Sequence, residues 1–178
     1  PLLIVAGPGS GKTRVITCRI AYLLQACGIA PQNIAAMTFT NKAANEMQDR
    51  LASLLGSNVR GLTVNTFHAF CAMVLRRDGS VIGLDKNFAI YDDSDQMTAI
   101  KRSMKETGID ERQFKPRAIL SQISHAKSQL WNPIEFSINR TSYYHENVLR
   151  AYERYEEILA MASAVDFDDL LLKTHTLF

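Results

Sequence analysis

Long apolar runs are missing from this sequence. No stretch approaches the roughly 20 residues a membrane span requires, and no basic, apolar and small-residue leader pattern opens the chain. A membrane partner is therefore not expected. Cysteine is scarce as well: Cys18, Cys27 and Cys71 match no metal-ligand spacing. Two of them fall on apolar helical faces, so all three are expected to be reduced core residues of a protein from a cytoplasm-like compartment. Internal repeats and low-complexity tracts are also lacking, which excludes solenoid and disordered classes. What remains is globular, with enough apolar residues for a core.

Net charge of one sign is lacking too, at +2 over 178 residues, but the balance is uneven. Residues 1–76 hold seven Lys/Arg against Glu46 and Asp49, and the remainder holds thirteen against sixteen acids. The positive potential therefore sits on the first part of the chain, where a polyanion would be favoured.

That first part opens with Ala6-Gly7-Pro8-Gly9-Ser10-Gly11-Lys12-Thr13. Leu2-Leu3-Ile4-Val5 before it reads as a buried strand, and Arg14 to Cys27 after it as a helix with Ile16, Ile20, Leu23 and Cys27 inward. Strand, glycine-rich turn and helix in this order make a phosphate-binding loop. Glycines let backbone N–H groups converge on phosphate oxygens, and the helix N-terminus adds its positive end. Lys12 would reach the β- and γ-phosphates and the Thr13 hydroxyl would ligate Mg²⁺, with ATP as the implied cofactor. The usual first glycine is replaced by Ala6.

Gly28 and Pro31 mark a turn, and Ile34 to Phe39 reads as a second buried strand. A helix to about Leu55 follows, with Ala44, Met47, Leu51 and Leu54 inward and Gly56 as its stop. Leu62 to Asn65 is a third strand, and the next helix carries Phe67, Phe70, Cys71 and Val74 on its apolar face. Strands alternating with helices predict an α/β domain with a parallel sheet covered on both faces. Past Arg77, Asp78-Gly79 and Gly83 loosen the chain, and from Asp92 onward only helical patterns appear. Asp93 with Gln96 resembles a capping box, Pro116 opens a helix with an Ile119, Ile123 and Leu130 stripe, and a helix from Ser142 to Met161 buries Val148, Tyr152, Tyr155 and Leu159. The expected organisation is 1–77 as the first part of the α/β domain, 78–164 as an all-α insertion, and 165–178 as the return. The first residues read as inside a strand and the last as inside a helix, so the chain is expected to continue past both ends.

A phosphate-loop enzyme needs an acid after a second core strand to hold its metal. Asp92-Asp93 and Asp166-Phe167-Asp168-Asp169 imitate one, but the first pair leads into a capped helix, and the second set follows a helix and reads as N-terminal capping carboxylates. Thr38-Phe39-Thr40-Asn41-Lys42 and Thr66-Phe67-His68 both end predicted strands, the edge where doubly wound sheets bind ligands. Aromatics beside polar donors suit a single-stranded nucleic acid. Composition alone favours the plainer alternative: Phe39 and Phe67 in the core, Thr40 and Thr66 as helix caps. His125, His145 and His175 read as isolated, Trp131 as a packing anchor, and Lys101, Lys105 and Lys127 as a solvated face.

Residues 6–14, Met37 to Ala44, Thr66 to Phe70 and Asp166 to Leu171 occur in the order seen in UvrD/Rep/PcrA-type superfamily 1 DNA helicases, and the whole chain resembles the start of that family's first motor domain. The resemblance implies a RecA-like P-loop domain with a helical insertion and a 3′-to-5′ ATP-driven translocase. Lys12 and Thr13 would serve phosphate and Mg²⁺, Arg14 would lie against adenine, and Thr38, Phe39, Thr40, Asn41, Lys42, Thr66, Phe67 and His68 would line a single-strand track. The implied partners are single-stranded DNA, single-strand/duplex junctions and a second motor domain. The implied setting is cytoplasmic and nucleoid-associated in a bacterium, with a nuclear or organellar one left open. The family's upstream glutamine motif, Asp-Glu metal motif and arginine fingers are not in these residues. A small P-loop kinase and a non-catalytic DNA-binding module stand as alternatives, and the Thr-Phe-Thr-Asn-Lys and Thr-Phe-His segments speak against the kinase.

Overall fold

Ile34 to Phe39 is one apolar run, and its middle forms strand β1, Ala35–Thr38. Helix α2, Asn41–Leu55, follows at once because Thr40 caps it: its hydroxyl accepts a hydrogen bond from the Ala43 amide at 3.2 Å. The chain then returns through β2, Thr63–Thr66, parallel to β1 in the register Ala36↔Val64 and Thr38↔Thr66. A parallel pair needs such a helical crossover. Ala36 and Val64 are buried on one face against Met47, Leu51 and Leu55 of α2 and Ile20 of α1, Lys12–Gln25. Residues 44, 47, 51 and 55 share a helical stripe, which is why Leu55 is buried and Leu54, about 100° round the helix, is exposed. On the other face Ala35 is exposed and Met37, Thr63 and Asn65 are half-buried, so the described residues cover that face only in part.

This computed structural model describes residues 3–5, 7, 9–139 and 142–178, with Ser57 and Asn58 described in their backbone alone. The chain divides into two compact units, residues 1–70 and 71–178, and the division falls inside helix α3, Phe67–Asp78. The architecture is mostly helical with two small parallel sheets.

Several local expectations change in the first unit. Residues 3–5 form no strand and are exposed, Leu3 at 86% and Val5 at 88%, because the described sheet consists of β1 and β2 paired to each other. Leu2 lies outside the described residues. Helix α1 begins at Lys12 and buries Thr17 and Ile20, while Ile16 is exposed. Cys18 and Cys27 are exposed rather than in the core. Cys18 is two residues from Ile20 and so points to the opposite side of the helix, and Cys27 lies past its end. Cys71, by contrast, is buried on α3 beside Ala72, Val74 and Leu75.

The second unit is built on α7, Tyr143–Met161, whose Val148, Ala151, Tyr152, Tyr155 and Leu159 are all buried. Against it pack α4, Asp93–Glu106, α5, Pro116–Ser128, and α6, Pro133–Ile138. The Ser103 hydroxyl donates to the Ala151 carbonyl at 2.7 Å, a buried link between α4 and α7. Strands β3, Ala89–Ile90, and β4, Ala164–Val165, add a parallel pair; β3 lies in the short apolar run before Asp92, and β4 falls in the stretch that reads as helical. With two residues each, they are too short for any periodicity to announce them. Helix α8, Phe167–Leu177, closes the unit. The capping box of α4 uses Asp92 and Asp95, one residue before the expected Asp93 and Gln96. Leu130 leaves the α5 stripe because that helix ends at Ser128 and Leu130 turns to φ 61°. No described helix is long and apolar enough to cross a membrane.

Candidate functional site

The glycine-rich turn enters α1 through backbone that only glycine adopts without strain: Gly9 has φ 72° and Gly11, the residue before the helix, φ 83°. No atom lies within 4 Å of where a Cβ on Gly7 or Gly9 would stand, so the loop presents open backbone. The Ser10 hydroxyl and the Lys12 ammonium both donate to the Gly7 carbonyl, each at 2.6 Å, which folds the cation over the loop. Thr13 is half-buried in the first turn of α1, and that turn carries no acidic side chain to repel an anion. Ala6 and Pro8 lie outside the described residues; Arg14 is exposed on α1. Open amides, an ammonium, a hydroxyl and a helix N-terminus form a donor set that fits the phosphates and the magnesium ion of a nucleotide.

The parallel register brings the two other segments together. Thr38 and Thr66 are partners at the carboxyl ends of β1 and β2, so the next residues, Phe39 and Phe67, emerge side by side. Their ring centroids are 5.4 Å apart with planes inclined by 50°. Phe39 is 90% exposed and Phe67 40%. The core reading of Phe39 is therefore overturned. An apolar run interrupted only by Thr38 hides the point at which the strand stops and the next residue leaves the sheet. The capping reading of the threonines holds: Thr40 caps α2, and Thr66 accepts from the Ala69 amide at 3.2 Å. The Thr38 hydroxyl donates to the Thr40 carbonyl at 3.1 Å and stiffens the exit from β1. Asn41, Lys42 and His68 are exposed beside the ring pair. A further residue, Gln48, had no local signal; its amide donates to the Val64 carbonyl at 2.8 Å and ties α2 to β2 across this sheet.

Both acidic imitators of a metal motif are occupied otherwise. Asp92 caps α4, and hydrogen bonds from the Asp95 and Ser94 amides and the Ser94 hydroxyl hold its carboxyl below the usual range. Asp166 and Asp169 form the capping box of α8, following β4 rather than a helix, and also grip Lys127. The expectation of a solvated Lys127 is thus corrected: the residue is 2% exposed. Its place on the buried stripe, four and eight residues after Ile123 and Ile119, was the sequence signal. Lys101 and Lys105 are exposed as expected. His125 and His175 are exposed, His145 meets the Phe136 ring edge-on at 5.9 Å, and Trp131 packs on the core of the second unit. No group of three metal-ligating side chains occurs among the described residues.

The profile of the UvrD/REP helicase N-terminal domain matches residues 1–178, the whole chain. The chain belongs to this family. As a UvrD/REP helicase N-terminal domain it is 48% identical over its full length to the ATP-dependent DNA helicase PcrA of Bacillus subtilis (strain 168). It is 44% identical to the helicase of the same name from Staphylococcus aureus (strain Mu50 / ATCC 700699), and 48% identical, over 179 aligned positions, to that of Leuconostoc citreum. The domain spans 24% of the length of each of these curated relatives.

Proposed function

We propose that this chain is the ATP-binding and first DNA-binding part of an ATP-driven 3′-to-5′ DNA helicase that moves along single strands and opens single-strand/duplex junctions. The observation that carries the reading is the exposed Phe39–Phe67 pair, set by strand register at the carboxyl edge of a parallel sheet and flanked by Asn41, Lys42 and His68. A solvated pair of rings beside donors suits bases that stack and phosphates that accept hydrogen bonds. Such a pair has no role in a folded core. The glycine-rich loop in the same unit supplies the second half of the argument.

In this reading residues 1–77 begin a RecA-like P-loop motor domain, 78–164 form its helical insertion, and 165–178 return to the motor. Gly7, Gly9, Ser10 and Gly11 offer amides to phosphate, Lys12 its ammonium, Thr13 a hydroxyl ligand for Mg²⁺, and Arg14 a flat guanidinium for adenine, with Ala6 and Pro8 completing the loop. Bound ATP–Mg²⁺ supplies the phosphoryl group whose transfer to water releases the driving energy. The protein's own part is to position that group and to hold DNA through Thr38 to Lys42 and Thr66 to His68. The second motor domain lies in the rest of the helicase chain, and the setting is the bacterial cytoplasm, at the nucleoid.

The test uses the full-length protein and duplexes tailed at either end. Strand displacement should need ATP, Mg²⁺ and a 3′ tail, and Lys12→Ala should abolish it while nucleotide-free binding to single strands is kept. Equal loss of displacement and binding in a folded Lys12→Ala protein, or a preference for 5′ tails, would refute the reading.

A further inference from the structure

Lys127 ends the buried stripe of α5, and its ammonium meets three carboxylates from two other elements. Asp166 Oδ2 lies at 2.8 Å, Asp169 Oδ1 at 2.9 Å and Glu156 Oε1 at 2.6 Å, with both aspartates buried as deeply as the lysine. The Tyr155 hydroxyl donates to Asp166 Oδ2 at 3.1 Å, and the Tyr155 ring lies 5.2 Å from the ammonium. Burial works against a charged lysine, but attraction to Asp169, Glu156 and Asp166 outweighs it, so the group stays an ammonium.

The same two aspartates are also the capping box of α8. The Asp169 amide donates to Asp166 Oδ1 at 2.7 Å and the Asp166 amide to Asp169 Oδ2 at 3.2 Å. Each carboxylate thus spends one oxygen on the helix start and the other on Lys127. Helix α8 cannot rotate or slide on α5 without breaking its ion pairs to Lys127, and the cap, internal to α8, fixes where those two carboxylates sit. Lys173 of α8 adds weaker links, at 3.7 Å to Asp169 and 3.8 Å to Glu156 of α7.

We infer that Lys127 is a positioning residue that binds α5, α7 and the first turn of α8 into one mechanical body. The functional consequence rests on the proposed helicase reading, in which α8 is the return of the chain to the motor. The Lys127 tether then carries motor displacement into the helical insertion, so that hydrolysis is turned into strand separation. A buried ion cluster is a poor way to gain stability compared with apolar packing, whereas it does fix direction and register.

The decisive variant in the full-length protein neutralises the cluster at once: Lys127→Met with Glu156→Gln, Asp166→Asn and Asp169→Asn. Asparagine keeps the N-cap chemistry, so the helix start survives and only the ionic tether is lost. Base pairs opened per ATP should fall roughly 2- to 30-fold, the span of coupling changes expected for such network residues, with DNA-stimulated hydrolysis and single-strand affinity near wild type. Hydrogen exchange is read on the same samples and needs no activity: α8 amides should lose protection while those of α5 and α7 keep it. Unchanged α8 protection, or unchanged base pairs per ATP in the folded variant, would overturn the inference. Should the fourfold variant not fold, Tyr155→Phe decides, since it removes one hydrogen bond to Asp166 and no charge. It should shift both readouts in the same direction by a smaller amount, and no shift in either would overturn the inference. A wild-type protein that hydrolyses no ATP with DNA would refute the helicase reading alone, leaving the exchange result to judge the tether.

Discussion

Replacing Phe39 by alanine separates the two roles an aromatic residue can have at a strand end. A buried phenylalanine truncated to alanine costs about 3–5 kcal/mol of stability. At 90% exposure Phe39 has almost no burial to lose, and what remains is its contact with Phe67, 5.4 Å between centroids. Such ring pairs contribute about 0.5–1.5 kcal/mol, which at roughly 2–4 °C per kcal/mol for a chain of this size shifts melting by no more than about 6 °C. The loss in DNA binding should be larger. Stacking of a base on an aromatic contributes about 1–3 kcal/mol, a roughly 5- to 150-fold weaker dissociation constant for single strands in the full-length protein. The dependence on salt should hardly change, because no phosphate contact is removed. Lys42→Ala gives the complementary pattern, a modest loss of affinity and a salt slope lower by about 0.7 if one phosphate is contacted. Fluorescence titrations across salt concentrations, run beside thermal melts, measure all of these quantities. An affinity per folded molecule that is unchanged in Phe39→Ala would take the ring out of the DNA track, and a melting loss above about 10 °C would contradict its exposed position.

Lys127→Met alone should destabilise the second unit by about 3–5 kcal/mol, since it leaves buried carboxylates without their cation; denaturant melts in which the single variant matches wild type would disprove the pairing. Ser163 holds φ 47° just past the end of α7, where glycine is the favoured residue, so Ser163→Gly should gain about 1 kcal/mol, and a loss on the same melts would contradict that geometry. Asp92 is a carboxylate held below its usual range, so its capping contribution is present above the unfolded value near 3.9 and is lost as pH falls through the lower folded value. The melting difference between wild type and Asp92→Ala should therefore be open at pH 7 and close under strong acid; a difference that widens on acidification would reverse the sign of the argument.

The elements easiest to find in the sequence were those whose signal is local and repeated. The stripe Val148, Tyr152, Tyr155 and Leu159 needed only helical period to be placed inside, and Thr40 needed only its position before Asn41 to be a cap. The parallel pairing of β1 and β2 followed from strand, helix and strand in succession. Phe39 was harder, because hydrophobicity alone does not mark where a strand leaves its sheet, and its ring partner, Phe67, lies 28 residues away. The Lys127 cluster was harder still. Its aspartate partners lie 39 and 42 residues on, and a lysine on an apolar stripe tells the reader that a partner exists without saying which.

In the proposed helicase reading, the hydrogen bonds these carboxylates already make bear on which of them could hold the metal. A magnesium ligand must keep a lone pair turned to the metal, the role proposed for the Thr13 hydroxyl. Asp92 has committed Oδ1 to three donors of its own helix start. Asp166 and Asp169 have committed all four oxygens, two to amides and two to Lys127. Pulling either aspartate toward a metal would cost the cap of α8 and an ion pair of a buried ammonium, so this acidic sequence, which imitates a metal motif, is committed to the helix start and to Lys127. Its acidity is instead what allows a lysine to be buried at the junction of three helices. A titration of Asp169→Asn in the full-length protein should accordingly show unchanged Mg²⁺ dependence of ATP hydrolysis together with a weakened α8. The reverse pattern, a raised Mg²⁺ requirement with α8 intact, would return this carboxylate to the metal site.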